Sequence, residues 1–330
     1  MISGLFIGML FGGLLQSGQF CFVSGFRNIV YQKNTRFLTA LLIAVSIQAT
    51  GFFTLQSMGL LTIPEGTLPV IATIVGGFLF GIGMVLAGCC GSGAWFRSGE
   101  GLTGTWIALF SFVVTMASAW KGSLKHWIEP LLIHPAQADT IYKTLNISPW
   151  FLVAVLIIVT IGLLIYQHRH PRYSPPPSGK FKRLPLNLTA VLIGILGIIA
   201  WLFSAESGRN FGFGISVPSA NVIQYLVTGQ QRYFNWGMLF VIGIFAGSMI
   251  SAKIRGEFAL TLPPDGKTVV KRLTGGIVMG IGATLAGGCT VTNSLVATAY
   301  FSWQGWISTL TIMAGVWITS YFIRPSQCRI

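Results

Sequence analysis

The chain has 330 residues, of which 53% are hydrophobic and only 8% are charged, and its formal net charge is +14. Soluble domains carry about 25% charged residues, so this composition excludes a soluble globular protein and indicates an all-α polytopic membrane protein. Such a positive charge is also found in nucleic-acid-binding proteins. Here the basic residues cluster in loops, as the positive-inside rule describes. We therefore expect membrane lipid as a partner, and no nucleic acid.

Nine apolar windows have about the 17–25 residues that a helix needs to cross the hydrocarbon core of a bilayer. The first window lacks the basic n-region and the cleavage site of a signal peptide, so it is predicted to be a retained span. The nine predicted spans are residues 2–19, 37–57, 69–88, 103–120, 150–166, 187–204, 236–252, 273–288 and 305–323.

Lysine and arginine are concentrated in three loops, at residues 27–36, 169–183 and 253–272, and in the C-terminal tail. Cytoplasmic loops carry the excess of positive residues in membrane proteins. With nine spans, all of these segments fall in the cytoplasm when the N-terminus lies outside and the C-terminus inside. We therefore expect a multi-pass protein with that orientation.

Four segments between the predicted spans are too apolar for ordinary loops and too short to cross a bilayer: residues 20–30, 89–99, 210–228 and 289–302. Each is rich in Gly, Ser or Asn. Non-helical backbone at membrane depth is tolerated only where protein buries it or where it lines a cavity. These segments are predicted to be short helices that enter the membrane and turn back.

One phrase is written twice, as GGFLFGIGMVLAGCC at residues 76–90 and as GGIVMGIGATLAGGC at residues 275–289, with nine of fifteen positions identical. The two copies lie five crossings apart, so they are predicted to run in opposite directions. This pattern predicts an inverted-repeat, pseudo-two-fold architecture with its site at the midplane between the repeats. The predicted parts are a first membrane repeat (1–166), a basic, Pro-rich cytoplasmic linker (167–186) and a second, inverted repeat (187–330).

Both copies of the phrase end in cysteine, at Cys90 and Cys289, and Cys21 follows another glycine-rich span. A buried cysteine is usually a small hydrophobic residue, but three thiols at three predicted helix breaks form a candidate binding site. Thiols are weak donors and soft acceptors, which suits the polarisable sulfur of an anion. The pattern predicts a transporter, not an enzyme, with no cofactor and no metal site.

Five further residues are secondary candidates. Cys89 has no counterpart in the second repeat, so it either packs or alters selectivity. Asn293 and Ser294 follow Cys289 and either donate to a substrate oxygen or cap the short helix. Arg97 and Glu100 lie near the cytoplasmic end of the first repeat, where they are expected to pair with each other.

Three motifs together carry a family resemblance: CFVSGFR at Cys21, GIGMVLAGCCGSGAWFRSGEG around Cys90 and GIGATLAGGCTVTNS around Cys289. Over essentially its whole length the chain resembles the YeeE/YedE family of bacterial inner-membrane sulfur-compound transporters. The resemblance implies uptake of thiosulfate or a related sulfur or selenium anion. It also implies that Cys21, Cys90 and Cys289 relay the anion by S–H hydrogen bonds at the waist of an hourglass, and that a TusA-like sulfur carrier is a cytoplasmic partner.

Two alternative functions use the same cysteines. A membrane thiol oxidoreductase would use Cys89 and Cys90 as a vicinal redox pair, although the chain contains no C-x-x-C motif. A soft-metal permease for copper or mercury would recruit Met or His beside the cysteines. All four histidines fall in predicted loops, which disfavours the metal permease.

Overall fold

The computed structural model describes residues 1–64, 66–132, 139–169 and 183–323. A π-helix at Val291–Ala297 and two 3₁₀-helices, Glu129–Leu132 and Gln231–Tyr233, accompany the α-helices in these ranges. The fourteen α-helices of the described residues are α1 (Ile2–Gly18), α2 (Phe22–Tyr31), α3 (Arg36–Ser57), α4 (Val70–Ala87), α5 (Gly91–Gly99), α6 (Thr103–Lys121), α7 (Lys125–Ile128), α8 (Ile141–Thr144), α9 (Pro149–Arg169), α10 (Leu186–Glu206), α11 (Ser216–Thr228), α12 (Trp236–Arg255), α13 (Gly266–Leu285) and α14 (Trp303–Phe322).

The predicted all-α class is confirmed, because the described ranges contain no strand and only two isolated backbone bridges. Among them, nine helices are 17 to 22 residues long, one at each predicted span. Seven segments are long and apolar enough to cross a membrane. Neither α13 nor α14 is among these seven, since α13 starts with a basic turn and α14 is rich in Ser, Thr and Trp. The count of nine crossings therefore stays a prediction.

Two boundaries differ from the sequence-based expectation. Helix α13 starts at Gly266, seven residues before the predicted span, because Asp265 caps it by accepting a hydrogen bond from the Thr268 N–H at 3.0 Å. The polar residues that follow continue the helix, and a hydropathy window does not detect them. The segment after Cys289 is a π-helix, which periodicity alone did not indicate.

The predicted linker of residues 167–186 is described only at its ends. Its first three residues continue α9, and Leu186 starts α10. Residues 170–182 lie outside the described residues, as does the tail 324–330 with Cys328. The division of the chain into two repeats and a linker stays a prediction.

The two glycine-rich phrases lie on α4 and α13, which pack against each other in opposite directions. A Cβ on Gly76 would lie 2.8 Å from the carbonyl oxygen of Gly282. A Cβ on Gly83 would lie 2.8 Å from the carbonyl oxygen of Gly275. Small residues let helix backbones approach this closely, so glycine at these four positions is what permits the contact.

Helices α1 and α12 form a second close pair and run in the same direction. A Cβ on Gly4 would lie 2.5 Å from the Trp236 carbonyl oxygen, and one on Gly12 would lie 2.8 Å from the Ile244 Cα. The short elements fill the space between the long helices: α5 and α11 each pack on α6 and α12, while α2 and the π-helix each pack on α3 and α14. This arrangement brings the starts of the short elements into the interior.

Candidate functional site

Cys21, Cys90 and Cys289 each stand at the start of a short helical element. The residue four positions later donates its N–H to the cysteine carbonyl in each case, at 2.9 Å for Cys21, 2.7 Å for Cys90 and 2.8 Å for Cys289. Ile215 has the equivalent bond, at 2.8 Å, at the start of α11. All four residues are buried. The starts of helices concentrate unpaired N–H groups and positive dipole ends, which favour anions.

The Cys90 thiol serves as the N-cap of α5. Its Sγ accepts a hydrogen bond from the Gly93 N–H at 3.3 Å, the role that Ser or Asp oxygens usually have at a helix start. The same sulfur lies 3.2 Å from the Ser92 hydroxyl. The Thr290 hydroxyl is close to the thiol without forming a hydrogen bond of good geometry to any described group. Cys90 is therefore surrounded by donors and hydroxyls.

Cys289 is held by α11 from across the interior. Its N–H donates to the Ser216 hydroxyl at 3.2 Å, and its Sγ lies 3.7 Å from the Thr292 hydroxyl. A Cβ on Gly91, the residue after Cys90, would lie 3.4 Å from the Cys289 Cβ. The structure thus places Cys289 directly beside the start of α5.

Cys21 completes the group of thiols. It is the N-cap of α2, is 5% exposed, and lies within electrostatic range of both Cys89 and Cys90. Cys89 is also buried, but its S–H is directed to the Ala87 carbonyl oxygen at 3.8 Å, at the end of the preceding helix α4. That contact fits the packing interpretation of Cys89 better than a role in binding.

Asn293 and Ser294 are already engaged by the protein. The Asn293 amide donates to the carbonyl oxygens of Ala286 at 3.1 Å and Gly288 at 3.0 Å, so both of its hydrogens stabilise the end of α13. The Ser294 hydroxyl accepts from Thr309 at 2.9 Å. These bonds go to the end of α13 and to α14, whereas the sequence-based alternative had both residues capping the short helix that follows Cys289. A contact of either residue with a substrate stays a prediction.

Arg97 and Glu100 lie at the far end of α5 from Cys90. Arg97 is buried, 5.6 Å over the Phe96 ring, and is close enough to Glu100 to attract it electrostatically. The Glu100 carboxylate accepts a hydrogen bond from the Gln19 side chain at 2.8 Å. Burial raises the pKa of Glu100 above its usual value, and the attraction of Arg97 and the bond from Gln19 offset this increase only in part.

A basic cavity of about 200 Å³ opens where α6 ends against α11, on the side opposite to Glu100. Its walls hold two cations, Lys121 and Arg232, and no carboxylate. The cavity also reaches Val217, the neighbour of Ser216 that contacts Cys289. Its other lining residues are Trp120, Ala220, Asn221, Gln224, Tyr233 and Asn235.

Arg209 adds a further cation, in the loop before α11. It donates to the Ser204 hydroxyl at 3.1 Å and to the Gly212 carbonyl at 2.9 Å, and no described carboxylate lies within ion-pair distance. Burial lowers its pKa to about 10, so the guanidinium keeps its charge at neutral pH.

Sequence reasoning missed the hydroxyls around the thiols. Ser92 and Thr292 follow Cys90 and Cys289 by two and three residues, so this signal was present in the repeats. Ser216 lies 73 residues from its partner Cys289, and no sequence pattern connects the two. Gln19 was also missed, although it directly precedes the segment that starts with Phe20 and Cys21.

Comparisons with known proteins show the family of this chain. The model of a family described as sulphur transport matches residues 17–318. The chain is 41% identical to the thiosulfate transporter TsuA of Escherichia coli K12, over 99% of this chain and 96% of the relative. It is 28% identical to TsuA of Spirochaeta thermophila, over 97% and 98% of the two chains. The probable transporter YedE of E. coli K12 is 28% identical over 53% of this chain and 43% of its own length. The family model and the E. coli relative together show that this chain belongs to the sulphur transport family, and they confirm the resemblance to YeeE/YedE transporters.

Proposed function

We propose that this protein takes up thiosulfate, or a closely related sulfur anion, through a constriction lined by Cys21, Cys90 and Cys289. The observation that carries the proposal is that three buried thiols each stand at the start of a short helical element, with Cys289 beside the start of α5 and Cys21 within electrostatic range of Cys90. Two relatives that span nearly the whole chain are named thiosulfate transporters, which supports thiosulfate as the substrate.

The chemistry of the thiols suits such an anion. A neutral S–H group donates a weak hydrogen bond and offers a polarisable contact to a terminal sulfur atom. Weak contacts at several adjacent sites let an ion enter and leave, whereas one strong site would trap it. The helix starts at Cys90 and Cys289 supply positive dipole ends for the negative charge. The anion passes from thiol to thiol, and no covalent bond is made.

The proposed architecture is an inverted repeat of residues 1–166 and 187–330, joined by the cytoplasmic linker 167–186, with nine crossings. The reciprocal glycine contacts between α4 and α13 support it, because the pair Gly76–Gly282 becomes Gly275–Gly83 when the repeats are exchanged. In the bacterial inner membrane, the N-terminus would lie outside and the C-terminus inside. The basic cavity between α6 and α11 would then face outward, where cations attract an anion.

A TusA-like sulfur carrier is proposed as the partner on the cytoplasmic side, where it would receive the sulfur of the imported anion. The family resemblance supports this partner. Co-purification of such a carrier with the detergent-solubilised protein, compared in the presence and absence of thiosulfate, tests this part of the proposal.

The decisive experiment is uptake of sulfur-labelled thiosulfate into proteoliposomes at equal protein content. Cys21→Ala, Cys90→Ala and Cys289→Ala should each reduce uptake to the level of empty liposomes. Cys89→Ala is the matched control, since its thiol is directed to the end of the preceding helix α4, and should keep most of the activity. Uptake that survives all three changes would contradict the thiol path. Absence of uptake by the unaltered protein would mean that thiosulfate is not the substrate or that a partner is also required.

A further inference from the structure

A polar network joins the ends of α1, α5 and α12 on the side of the molecule away from the basic cavity. The Gln19 side chain donates to the Glu100 carboxylate at 2.8 Å and to the Gln16 carbonyl at 3.0 Å. The Gln16 side chain donates to the Glu257 carboxylate at 2.6 Å and accepts from the Ser251 hydroxyl at 2.7 Å. These bonds connect parts of the chain that are 81, 235 and 241 residues apart.

Gln19 stands at the turn that leads into Cys21. It has a φ of 47°, in the left-handed region that is unfavourable for a residue with a side chain. Its N–H bonds back to α1, and Phe20 then leads to Cys21, the start of α2. The direction of the backbone into Cys21 therefore depends on this strained residue, whose side chain is held at its far end by Glu100.

Glu100 is in turn firmly anchored. It is the C-cap of α5, the helix that Cys90 starts. Its carbonyl oxygen accepts the Ala259 N–H at 3.1 Å, and the Thr261 N–H bonds to the next carbonyl, that of Gly101, at 3.2 Å. The segment after α12 is thus attached to the end of α5 by backbone bonds, and Glu100 offers its side chain to Gln19 from this fixed position.

We infer that the Gln19–Glu100 hydrogen bond is a positioning clamp that fixes the break carrying Cys21 against the helix that carries Cys90. Its importance for transport depends on the proposed function, but its effect on the distance between the two thiols does not. Neither residue touches the substrate in this account. Both act through the cysteines.

The charges around the clamp come from three sides. Arg97 lies on α5 itself, and Glu257 follows α12. Arg183 and Arg255 each lie 3.5 Å from the Glu257 carboxylate. Because burial disfavours the charged form of Glu100 despite these cations, a neutral amide of the same shape should be tolerated there. Glu100→Gln keeps an oxygen that can accept from Gln19.

The first test measures the separation of the thiols directly. In a Cys89→Ala background, a short bifunctional methanethiosulfonate reagent should join Cys21 to Cys90, and peptide mass spectrometry quantifies the product. Glu100→Ala and Gln19→Leu should each lower the yield several-fold, and Glu100→Gln should preserve it. Ser17→Ala is the matched control, because this hydroxyl bonds within α1 to the Gly13 carbonyl and takes no part in the clamp.

The second test exchanges the hydrogen-bond donor and acceptor between Gln19 and Glu100. Rescue by this exchange distinguishes a positioning role from a general loss of folding. Gln19→Glu alone places two carboxylates together, and at a pH where both are ionised their repulsion should lower cross-linking and uptake several-fold. Adding Glu100→Gln to that variant restores a donor–acceptor pair in the reverse direction, and at least a third of the lost cross-linking and uptake should return. No rescue, or unchanged cross-linking in Glu100→Ala and Gln19→Leu, would overturn the clamp. Reduced cross-linking with unchanged uptake would support the clamp and contradict the thiol relay of the proposed function.

Discussion

At the scale of single residues, this protein uses cysteine where soluble proteins use Ser, Thr or Asp. The Cys90 sulfur accepts the Gly93 N–H and so caps α5. The cap fixes the sulfur at the helix start, where the dipole of α5 favours a negative charge. The sequence predicted Cys21, Cys90 and Cys289 as a group, because two of them end a repeated phrase. It did not predict Ser216, because that contact depends on how α11 folds back into the interior.

Removal of the Ser216 hydroxyl should disturb Cys289. Ser216→Ala leaves the buried Cys289 N–H without its acceptor, which costs about 1–3 kcal/mol. We expect a lower thermal midpoint in detergent and reduced thiosulfate uptake in proteoliposomes. Ser216→Thr keeps an oxygen at the same position and should retain both properties. Equal behaviour of the two variants would mean that Ser216 does not position Cys289.

At the scale of helices, the positions of glycine residues determine which helices can pack closely. The repeated phrase predicted that α4 and α13 were related, and hydropathy placed the nine long helices to within a few residues, apart from the start of α13. Hydropathy could not predict the π-helix after Cys289, since that geometry is defined by backbone bonds such as the one from the Thr298 N–H to the Asn293 carbonyl oxygen, five residues earlier. Periodicity reports which face of a helix is apolar and does not report such a bond pattern.

A pair of glycine substitutions tests the α4–α13 contact. Gly83→Ala places a Cβ 2.7 Å from the Met279 backbone nitrogen, so the helices must separate. Such overpacking costs about 1–3 kcal/mol and should lower the thermal midpoint. Gly162→Ala on α9 is the matched control, because nothing lies within 4 Å of that Cβ. Gly162→Ala should leave the thermal midpoint unchanged or raise it, because alanine has a higher helix propensity than glycine, by up to about 1 kcal/mol. An equal drop in both variants would contradict close packing at Gly83.

At the scale of the whole molecule, the composition was sufficient to predict a polytopic all-α membrane protein. The inverted repeat and the nine crossings stay predictions, since seven segments of the described residues are long and apolar enough to cross a membrane. The basic cavity was not predicted, because Lys121 and Arg232 lie 111 residues apart and meet only when α11 packs on α6.

The basic cavity gives a prediction about affinity. Lys121→Gln and Arg232→Gln should raise the KM for thiosulfate several-fold, because each removes a cation that attracts the anion. The maximal rate should change little, since neither residue lies at the thiols. The effect should shrink at high salt, which screens charges at the surface. Lys125→Gln is the matched control, because this exposed lysine pairs with Glu129 outside the cavity. A matching KM increase in the control would show that net charge, not the cavity, is responsible.

The most direct test of the thiol path is a reversible block at its centre. The Cβ introduced by Gly91→Cys would lie 3.4 Å from the Cys289 Cβ, close to the separation of about 3.5–4.5 Å found in disulfides. In a Cys89→Ala background, mild oxidation should join the introduced thiol to Cys289, which mass spectrometry confirms. If thiosulfate passes between α5 and Cys289, oxidation should stop its uptake into proteoliposomes, and a reductant should restore it. Uptake that continues at full rate while the disulfide is complete would show that the anion takes another route.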